Sequence, residues 1–254
     1  MEIKQYVLAV FSPTGGTLKI ARAICRGTGL AGTEVDLCTE PEPREIGPDT
    51  LVVAAMPVYE NRIREVALRR LGRLQGKNGP AVAVVVYGNR DYGDALPELS
   101  DTLQESGYTV GAAAAFVAEH SIIRSIAAGR PDAEDLKQAE AFGARAAAKI
   151  KAQNTLQNVP VPGDPDYKNK KRGTGVRPLT DENCVSCGVC AQACPVNAIP
   201  LDQPNTTTDA CIGCMRCISV CPQRARKIPA STEQWLTAYL QEKAANVRQP
   251  EIFL

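Results

Sequence analysis

The sequence predicts an α/β domain with a doubly wound, five-stranded parallel sheet, followed by a smaller domain rich in cysteine. Five apolar segments of strand length alternate with helical segments over the first 150 residues. Eight of the ten cysteines lie between residues 184 and 221. Because 254 residues suffice for two ordinary domains, we expect each of these patterns to form a domain of its own.

The first element is a strand, which a polar loop connects to a helix. Residues 6–11 are an apolar run of strand length, and Leu18, Ala21 and Cys25 follow at helical spacing. The loop of residues 12–17 is rich in hydroxyl groups and glycine, and such a loop at a helix N-terminus favours an anion. It lacks the lysine of a triphosphate-binding P-loop and the spacing of a dinucleotide-binding loop. It therefore predicts a site for a phosphate group, with a plain glycine-rich turn as the alternative.

Four further strands and three helices follow at the spacing of an α/β sheet. The strands are residues 33–38, 51–56, 81–87 and 108–116, and the helices lie near residues 63–74, 94–105 and 132–151. The second and third of these strands hardly alternate between apolar and polar residues, as expected when helices cover both faces of a parallel sheet. This pattern fits the strand order 2-1-3-4-5, in which the ligand crevice lies beyond the carboxyl ends of strands 1 and 3.

Three loops are expected to meet at that crevice: residues 12–17, 57–62 and 88–93. Besides the phosphate-binding groups, they carry aromatic rings and backbone polar groups that suit a planar cofactor. Ordinary half-buried packing is the alternative for any single tyrosine among them. The candidate cofactor-binding residues are Ser12, Thr14, Gly15, Gly16, Thr17, Pro57, Val58, Tyr59, Asn61, Arg62, Tyr87, Gly88, Asn89, Asp91, Tyr92 and Gly93.

His120 is the only histidine, and it closely follows the fifth predicted strand. An imidazole there is a candidate proton donor to a bound cofactor or substrate. The interpretation that we favour is that it caps or braces the loop at the edge of the sheet. Cys25 and Cys38 lie outside the cysteine-rich segment, and we interpret both as packed thiols.

Residues 153–177 are predicted to be a linker, because regular patterns give way there to prolines and glycines. The segment also carries the basic cluster Lys168, Lys170, Lys171 and Arg172. Such a cluster can attract an acidic redox partner. A solvated linker with incidental charge is an equally good interpretation.

The cysteine-rich segment contains the pattern C-x-x-C-x-x-C-x-x-x-C-P twice. Two residues between ligands let the chain wrap a cubic cluster while backbone N–H groups turn towards its sulfur atoms. In this pattern three thiolates hold one 4Fe-4S cluster and the fourth holds the other. The predicted ligands are Cys184, Cys187, Cys190 and Cys221 for the first cluster, and Cys211, Cys214, Cys217 and Cys194 for the second.

Zinc ribbons and a disulfide framework are the alternatives for paired C-x-x-C motifs. A zinc ion takes four ligands, which accounts for neither eight evenly spaced cysteines nor two C-P endings. We therefore favour clusters. After them, Ser231 and Gln234 have the spacing of a capping box and predict a terminal helix whose apolar residues dock on one of the domains.

Several motifs resemble known families. The two cysteine runs, with residues 197–199 after the first proline, resemble the halves of a bacterial ferredoxin with two 4Fe-4S clusters. Residues 12–17 resemble the T-x-T-G-x-T phosphate loop of flavodoxins, with Ser12 at the first hydroxyl position. Residues 57–59 and 88–92 resemble the loops that flank the flavin in flavodoxin-ferredoxin fusion proteins of anaerobic bacteria and archaea.

This resemblance implies the cofactors FMN and two 4Fe-4S clusters. It also implies a flavodoxin-like FMN domain over residues 1–152, the linker, a bacterial-type α+β ferredoxin domain over residues 178–230, and a C-terminal helix and tail over residues 231–254. The implied function is an electron-transfer iron-sulfur flavoprotein that relays low-potential electrons between the clusters and FMN and on to a protein partner. The alternative is a flavin-dependent reductase that uses the clusters as its electron inlet.

Composition restricts the environment and the partners. A formal net charge of +1 provides no basic surface for nucleic acid. No apolar run approaches the roughly 18 residues of a membrane helix, and the first residues lack the pattern of a signal peptide. We therefore expect a cytosolic protein that exchanges electrons with a protein donor and a protein acceptor. The sequence is compatible with a homodimer.

Overall fold

The computed structural model describes residues 2–173 and 175–254 as alternating strands and helices followed by short elements. The strands are β1 Gln5–Val10, β2 Ala31–Asp36, β3 Arg44–Ile46, β4 Thr50–Pro57, β5 Leu74–Gly76, β6 Gly79–Tyr87, β7 Tyr108–Val117, β8 Leu179–Thr180, β9 Arg226–Lys227 and β10 Glu251–Phe253. The helices are α1 Gly16–Gly27, α2 Glu65–Leu71, α3 Ala95–Glu105, α4 Ala133–Ala152, α5 Val189–Gln192, α6 Arg216–Ser219 and α7 Ala230–Lys243.

The main sheet has the order β10-β7-β6-β4-β1-β2. Its five strands from the first 117 residues pair in parallel, and their sequence order across the sheet is 2-1-3-4-5, as predicted. Every residue of β6 is buried, since helices lie on both faces of the sheet. A β-bulge between Ala81 and Val82 interrupts its register with β7. The α/β fold class is therefore confirmed.

Two cores fill the space between the sheet and its helices. On one face α1 and α4 pack on the strands through residues such as Ile20, Ile24 and Phe142. On the other face α2 and α3 contribute Leu71 and Leu99. The sequence did not predict β3 and β5, which form a separate parallel pair at the edge of this second core.

Glycines allow α1 and α4 to approach each other closely. A Cβ atom on Gly143 would lie 2.0 Å from the Ile24 carbonyl oxygen, and one on Gly27 would lie 1.9 Å from that of Glu140. Any larger residue at either position would push the helices apart. The backbones of the two helices are therefore in direct contact.

The predicted linker is packed on the α/β domain. The Tyr167 side chain is buried, and its hydroxyl donates to Asp101 over 2.8 Å. Arg62 donates to the Tyr167 carbonyl oxygen over 2.8 Å, and Arg172 pairs with the buried Glu98. Tyr167 belongs to a 3-10 helix, Pro165–Asn169, and Arg172 follows it. The segment therefore fixes the path of the chain between the domains.

The cysteine-rich domain is small and of the α+β type. Its two short strands, β8 and β9, pair in antiparallel orientation, and α5 and α6 lie between them in the chain. The domain contacts the first one directly: the buried Arg70 donates to the Pro195 carbonyl oxygen over 2.6 Å, and Cys214 belongs to the core beside α2 and α3.

The C-terminal segment returns to the α/β domain. Leu240 of α7 and Ala244, which follows the helix, pack against Ile123 and Ile126, which confirms that the helix docks. The predicted capping box is wrong, because α7 begins at Ala230 after Pro229 and no side chain caps it. The last strand, β10, then extends the sheet by pairing antiparallel with β7. Within the described residues, no helix is both long and apolar enough to span a bilayer.

Candidate redox site

The loop between β1 and α1 is shaped to receive an anion. Gly15 precedes the helix with a φ of 91°, a conformation that glycine adopts without strain. The Ser12 Oγ accepts the N–H of Leu18 over 3.0 Å and so holds the loop closed. Thr14 and Gly16 line a cavity of about 670 Å³, which we call the phosphate-side cavity.

The charge of this cavity suits a phosphate group. Lys19 lines it beside the first turn of α1, whose N–H groups have no partner within the helix. Arg124 and Arg130 also line it, paired with Glu119 and Asp135 respectively. Hydroxyl, backbone N–H and ammonium donors are the groups that bind phosphate in proteins. The residues present therefore fit the phosphate end of a flavin nucleotide.

A second cavity, of about 650 Å³, lies where the other two predicted loops meet. We call it the ring-side cavity. Both cavities are within the usual size of ligand sites, about 300–1,000 Å³, and Ser121 lines both of them. The residues that were predicted from sequence and line the ring-side cavity are Val58, Tyr59, Asn61, Gly88 and Asp91.

One wall of the ring-side cavity comes from α7, which sequence reasoning did not assign to the site. Trp235 and Tyr239 line the cavity, and their rings stack 5.5 Å apart with 10° between the planes. Trp235 is 65% exposed, so the pair lies at the opening of the cavity. The sequence of a helix does not indicate which surface the helix will cover.

Arg64 also lines the ring-side cavity, although the sequence did not predict it as a site residue. Its guanidinium carbon lies 5.0 Å from the centroid of the Tyr59 ring, and it donates to the Gly173 carbonyl oxygen. Its Nε is buried and lacks a hydrogen-bond partner among the described residues. A cavity with aromatic walls and an available buried donor fits a planar ring with polar edges.

Several residues predicted to bind the cofactor have structural roles outside the ring-side cavity. Arg62 is buried in an ion pair with Glu98 at 2.7 Å. Tyr87 and Tyr92 are buried against each other with centroids 5.4 Å apart, and Asn89 binds the backbone of residues 244–248. The residues that shape the loops without lining either cavity are Ser12, Gly15, Thr17, Pro57 and Gly93.

His120 lines the ring-side cavity, and its position supports the bracing role. Its Nδ1 accepts the backbone N–H groups of Ile122 and Ile123, at 3.3 and 3.0 Å. Burial, and to a smaller extent the nearby Arg90, lowers its pKa to about 4. A neutral imidazole that accepts at Nδ1 carries its proton on Nε2. It is therefore a poor acid at neutral pH.

The eight clustered cysteines enclose two voids in the small domain. One void is lined by Cys184, Cys187, Cys190 and Cys221, and we call it the first cluster cavity. The other is lined by Cys194, Cys211, Cys214 and Cys217, and we call it the second cluster cavity. Each cavity thus takes three cysteines from one run and the fourth from the other run.

Each void brings together four thiols from both cysteine runs, a donor set that fits the predicted clusters. Throughout the described residues, no group of three or more ligating side chains is arranged to hold a single metal ion. All ten cysteines, each of them within that part of the chain, are unpaired.

Comparison with known families identifies this domain. Residues 178–222 match the model of the 4Fe-4S dicluster domain family. The chain joins a flavodoxin-like fold to a 4Fe-4S dicluster domain. The first part of that statement follows from the 2-1-3-4-5 strand order and from the loops at its carboxyl edge. The second follows from the family match and the two cysteine-lined voids.

Solved structures of flavodoxins and of a larger oxidoreductase resemble part of this chain. A flavodoxin from the domain Archaea aligns with 59% of this chain and 99% of its own, at 18% identity and a TM-score of 0.37. The flavodoxin of Megasphaera elsdenii aligns with 57% of this chain and 99% of its own, at 14% identity and a TM-score of 0.38. The rubredoxin oxygen:oxidoreductase of Desulfovibrio gigas gives 18% identity and a TM-score of 0.41, over 59% of this chain but only 38% of its own. No curated protein matches the sequence.

The two cluster cavities of the dicluster domain differ in exposure. Cys187 of the first is exposed to solvent, whereas Cys214 of the second is buried in the core of the flavodoxin-like domain. Burial raises the pKa of Cys214 to about 12 and that of Cys217 to about 11. Because coordination deprotonates a thiol outright, iron would overcome this effect of burial. The donor set therefore fits the cluster family.

The second cluster cavity is next to the ring-side cavity. Burial raises the pKa of Tyr59 well above its usual value, and the neighbouring Cys214 raises it further. Gly213, which precedes that cysteine, lines the ring-side cavity itself. A single layer of residues therefore separates the two sites.

The basic cluster of the linker is largely neutralised within the chain. Lys168 pairs with Glu105 at 3.0 Å, and Lys170 pairs with Asp94 at 2.7 Å. Arg172 pairs with Glu98. These contacts leave little positive charge to attract an acidic partner, so they favour the interpretation of the segment as a connection.

Proposed function

We propose that this protein is an electron-transfer iron-sulfur flavoprotein that holds FMN and two 4Fe-4S clusters and exchanges electrons with a protein partner. One observation carries the proposal. The second set of four cysteines lies against Tyr59 in the wall of the ring-side cavity, while the first set reaches the surface at Cys187. This order leads from solvent to the interior of the molecule.

FMN is the flavin that these cavities favour. The phosphate-side cavity offers Thr14, Gly16 and Lys19, and the ring-side cavity offers Tyr59 and an aromatic wall. The loop lacks the motif of a dinucleotide site, which argues against FAD. When bound, the clusters would supply one-electron transfer and the flavin would supply exchange between one and two electrons.

The chain's own residues would hold these groups apart from water and from each other. The cysteines of each run cross to the other cavity and so tie the two cluster sites together. Arg70 fixes the backbone beside Cys194 to the flavodoxin-like domain through its bond to Pro195. The packed linker and α7 hold the two domains in a fixed arrangement. The spacing of the sites is therefore built into the fold.

The surface around Cys187 is the proposed contact for the protein partner. Val185 lines the first cluster cavity together with Cys187, and it is 65% exposed. Exposed apolar residues around a redox site suit the small interfaces of transient electron-transfer complexes. Both donor and acceptor would use this surface, since α7 covers the ring-side cavity.

A flavin-dependent reductase is the second candidate, and the same cavity favours it. The ring-side cavity has room for a ligand and an opening beside Trp235, which admits a small molecule more easily than a protein. Arg64 provides a buried donor there. In this case electrons would enter through the clusters, and a small-molecule acceptor would be reduced at the flavin and released.

Anaerobic purification tests the proposal. We expect iron and acid-labile sulfide for two 4Fe-4S clusters and one FMN per chain. The protein is then reduced chemically and mixed with oxidised ferredoxin or with candidate small acceptors. Rapid reoxidation by the protein supports the carrier, and reoxidation only by a small molecule supports the reductase. Zinc in place of iron, or no affinity for FMN, would contradict the proposal.

A further inference from the structure

Arg226 of β9 is a buried cation in the dicluster domain. Arg226 is only 2% exposed to solvent. It donates to the Thr207 hydroxyl over 2.6 Å, to the Thr206 carbonyl oxygen over 2.9 Å and to the Pro204 carbonyl oxygen. All of these acceptors are neutral, and among the described residues no carboxylate pairs with this guanidinium.

Burial of a charge without a counter-charge is unfavourable, even when hydrogen bonds orient the charged group. The Nε of Arg226 adds a second deficit, because it is buried and has no acceptor among the described residues. Within the described residues, the Arg226 guanidinium thus lacks both a neighbouring negative charge and an acceptor for its Nε–H. A bound anion would supply both.

The position of Arg226 indicates which anion. Arg226 and Pro204 line the first cluster cavity. Thr207, which Arg226 holds, lines the second cluster cavity. The guanidinium therefore lies at the junction of the two sets of cysteines. A cluster held by four thiolates is an anion with several sulfur acceptors, and hydrogen bonds to those sulfurs help to set its potential.

We propose that Arg226 is the counter-charge of the first cluster and donates its Nε–H to a sulfur atom there. This inference rests on the proposed pair of clusters. Reduction takes one electron from a one-electron donor and adds one negative charge to the cluster, with no bond made or broken. A fixed cation beside the cluster stabilises that added charge. Arg226 thus makes the first cluster, which faces solvent at Cys187, a better electron acceptor than it would be without the guanidinium.

The flavin phosphate is the competing anion, since Arg226 also lines the phosphate-side cavity. If its Nε bound the flavin phosphate, substitution would weaken FMN binding and leave the cluster potentials unchanged. If it serves the cluster, substitution shifts one potential and leaves the FMN dissociation constant unchanged. The two possibilities are separated by measuring both quantities on the same variants.

The experiment is an anaerobic redox titration of the complete protein, in which electron paramagnetic resonance measures the reduced fraction of each cluster. For Arg226→Met we expect reduction of one cluster to become at least tenfold less favourable, a shift of about 59 mV to lower potential for one electron. Arg226→Lys keeps the charge and should recover most of that shift. Lys227→Met is the matched control, because Lys227 is an exposed cation on the same strand, and it should shift the potential far less.

A measurement on the unsubstituted protein guards against variants that fail to fold. With ¹⁵N-labelled arginine, pulsed resonance of the reduced protein should show coupling between a cluster and a guanidinium nitrogen. Absence of that coupling, or equal potentials in the native protein and in a cluster-containing Arg226→Met variant, would overturn the inference. Absence of iron from the native protein would instead contradict the proposed function.

Discussion

Tyr59 shows how one side chain connects the two domains. It lies in a loop of the flavodoxin-like domain, lines the ring-side cavity and packs in the same core as Cys214. Arg64 lies over its ring. Its position in a P-V-Y motif suggests contact with a flavin, but nothing in that motif indicates the cysteine on its other side.

Matched serine variants test the crossed arrangement of the cysteines at the level of single residues. We expect Cys221→Ser to give the same spectrum as Cys187→Ser, because both residues line the first cluster cavity. Cys194→Ser should resemble Cys214→Ser for the same reason in the second cavity. Electron paramagnetic resonance of the four reduced variants makes the comparison. A match between Cys221→Ser and Cys214→Ser would mean that each run holds its own cluster.

The pH dependence of stability tests the role of His120. Its pKa is about 4 in the folded protein and 6.5 as the ordinary value, so the unfolded chain binds the proton more readily. The stability that the neutral imidazole contributes is therefore complete above about pH 6.5 and is lost as the pH falls towards about 4.

Anaerobic urea unfolding of the native protein and of His120→Gln measures this effect. Glutamine offers an oxygen in place of Nδ1 but does not titrate. Between about pH 7.5 and pH 5 we expect the native protein to lose up to about 2 kcal/mol more than the variant. Parallel losses in both proteins would mean that the imidazole is not held neutral.

At the scale of elements, α7 and β10 determine the shape of the site. The helix provides one wall of the ring-side cavity, and the strand anchors the tail to β7. Between them, Asn89 binds the carbonyl groups of Ala244 and Asn246. Tyr92 then donates to Glu251 over 2.7 Å. Two residues predicted to bind the cofactor thus hold the C-terminal segment in place.

Substitution of Gly143 tests the contact between α1 and α4. A methyl group there would lie 2.0 Å from the Ile24 carbonyl oxygen, which neither backbone can avoid without moving a helix. We expect Gly143→Ala to destabilise the protein by about 2–3 kcal/mol, measured by urea unfolding. Gly72→Ala is the control, because its Cβ atom would meet nothing closer than 3.5 Å. Equal stability of the two variants would show that the helices are not in close contact.

At the scale of the whole molecule, the two domains are joined by more than a tether. The linker is packed through Tyr167 and Arg172, Arg70 reaches Pro195, and α7 packs against the loop after β7. These contacts surround the boundary between the second cluster cavity and the ring-side cavity. The fold thus places both proposed redox sites within one molecule.

Reaction order tests this intramolecular arrangement. We expect flavin reduction after rapid reduction of the clusters to be first order, with a rate constant that does not change with protein concentration. Stopped-flow spectroscopy over a wide concentration range provides the measurement. Arg70→Met, which removes the bond to Pro195, should slow this phase, whereas Arg69→Met on the exposed side of α2 should not. A rate proportional to concentration would mean that electrons pass between molecules.

The sequence by itself determined the patterns that depend on local spacing. Apolar runs and their alternation predicted the parallel sheet and its order, because secondary structure and crossover rules are largely local. The cysteine spacing predicted the dicluster domain, which the family match confirms. The loop of residues 12–17 predicted the position of the phosphate-side cavity.

Only the tertiary structure decided which side chains share a site. The predicted loops contain Arg62, Asn89 and Tyr92, yet these side chains have partners distant in sequence. Those partners direct them to an ion pair and to the C-terminal tail. Arg64, Arg226 and the wall formed by α7 enter through burial and domain contact, which no local motif encodes. Local spacing fixes backbone conformation, whereas the surroundings of a side chain depend on how distant segments pack.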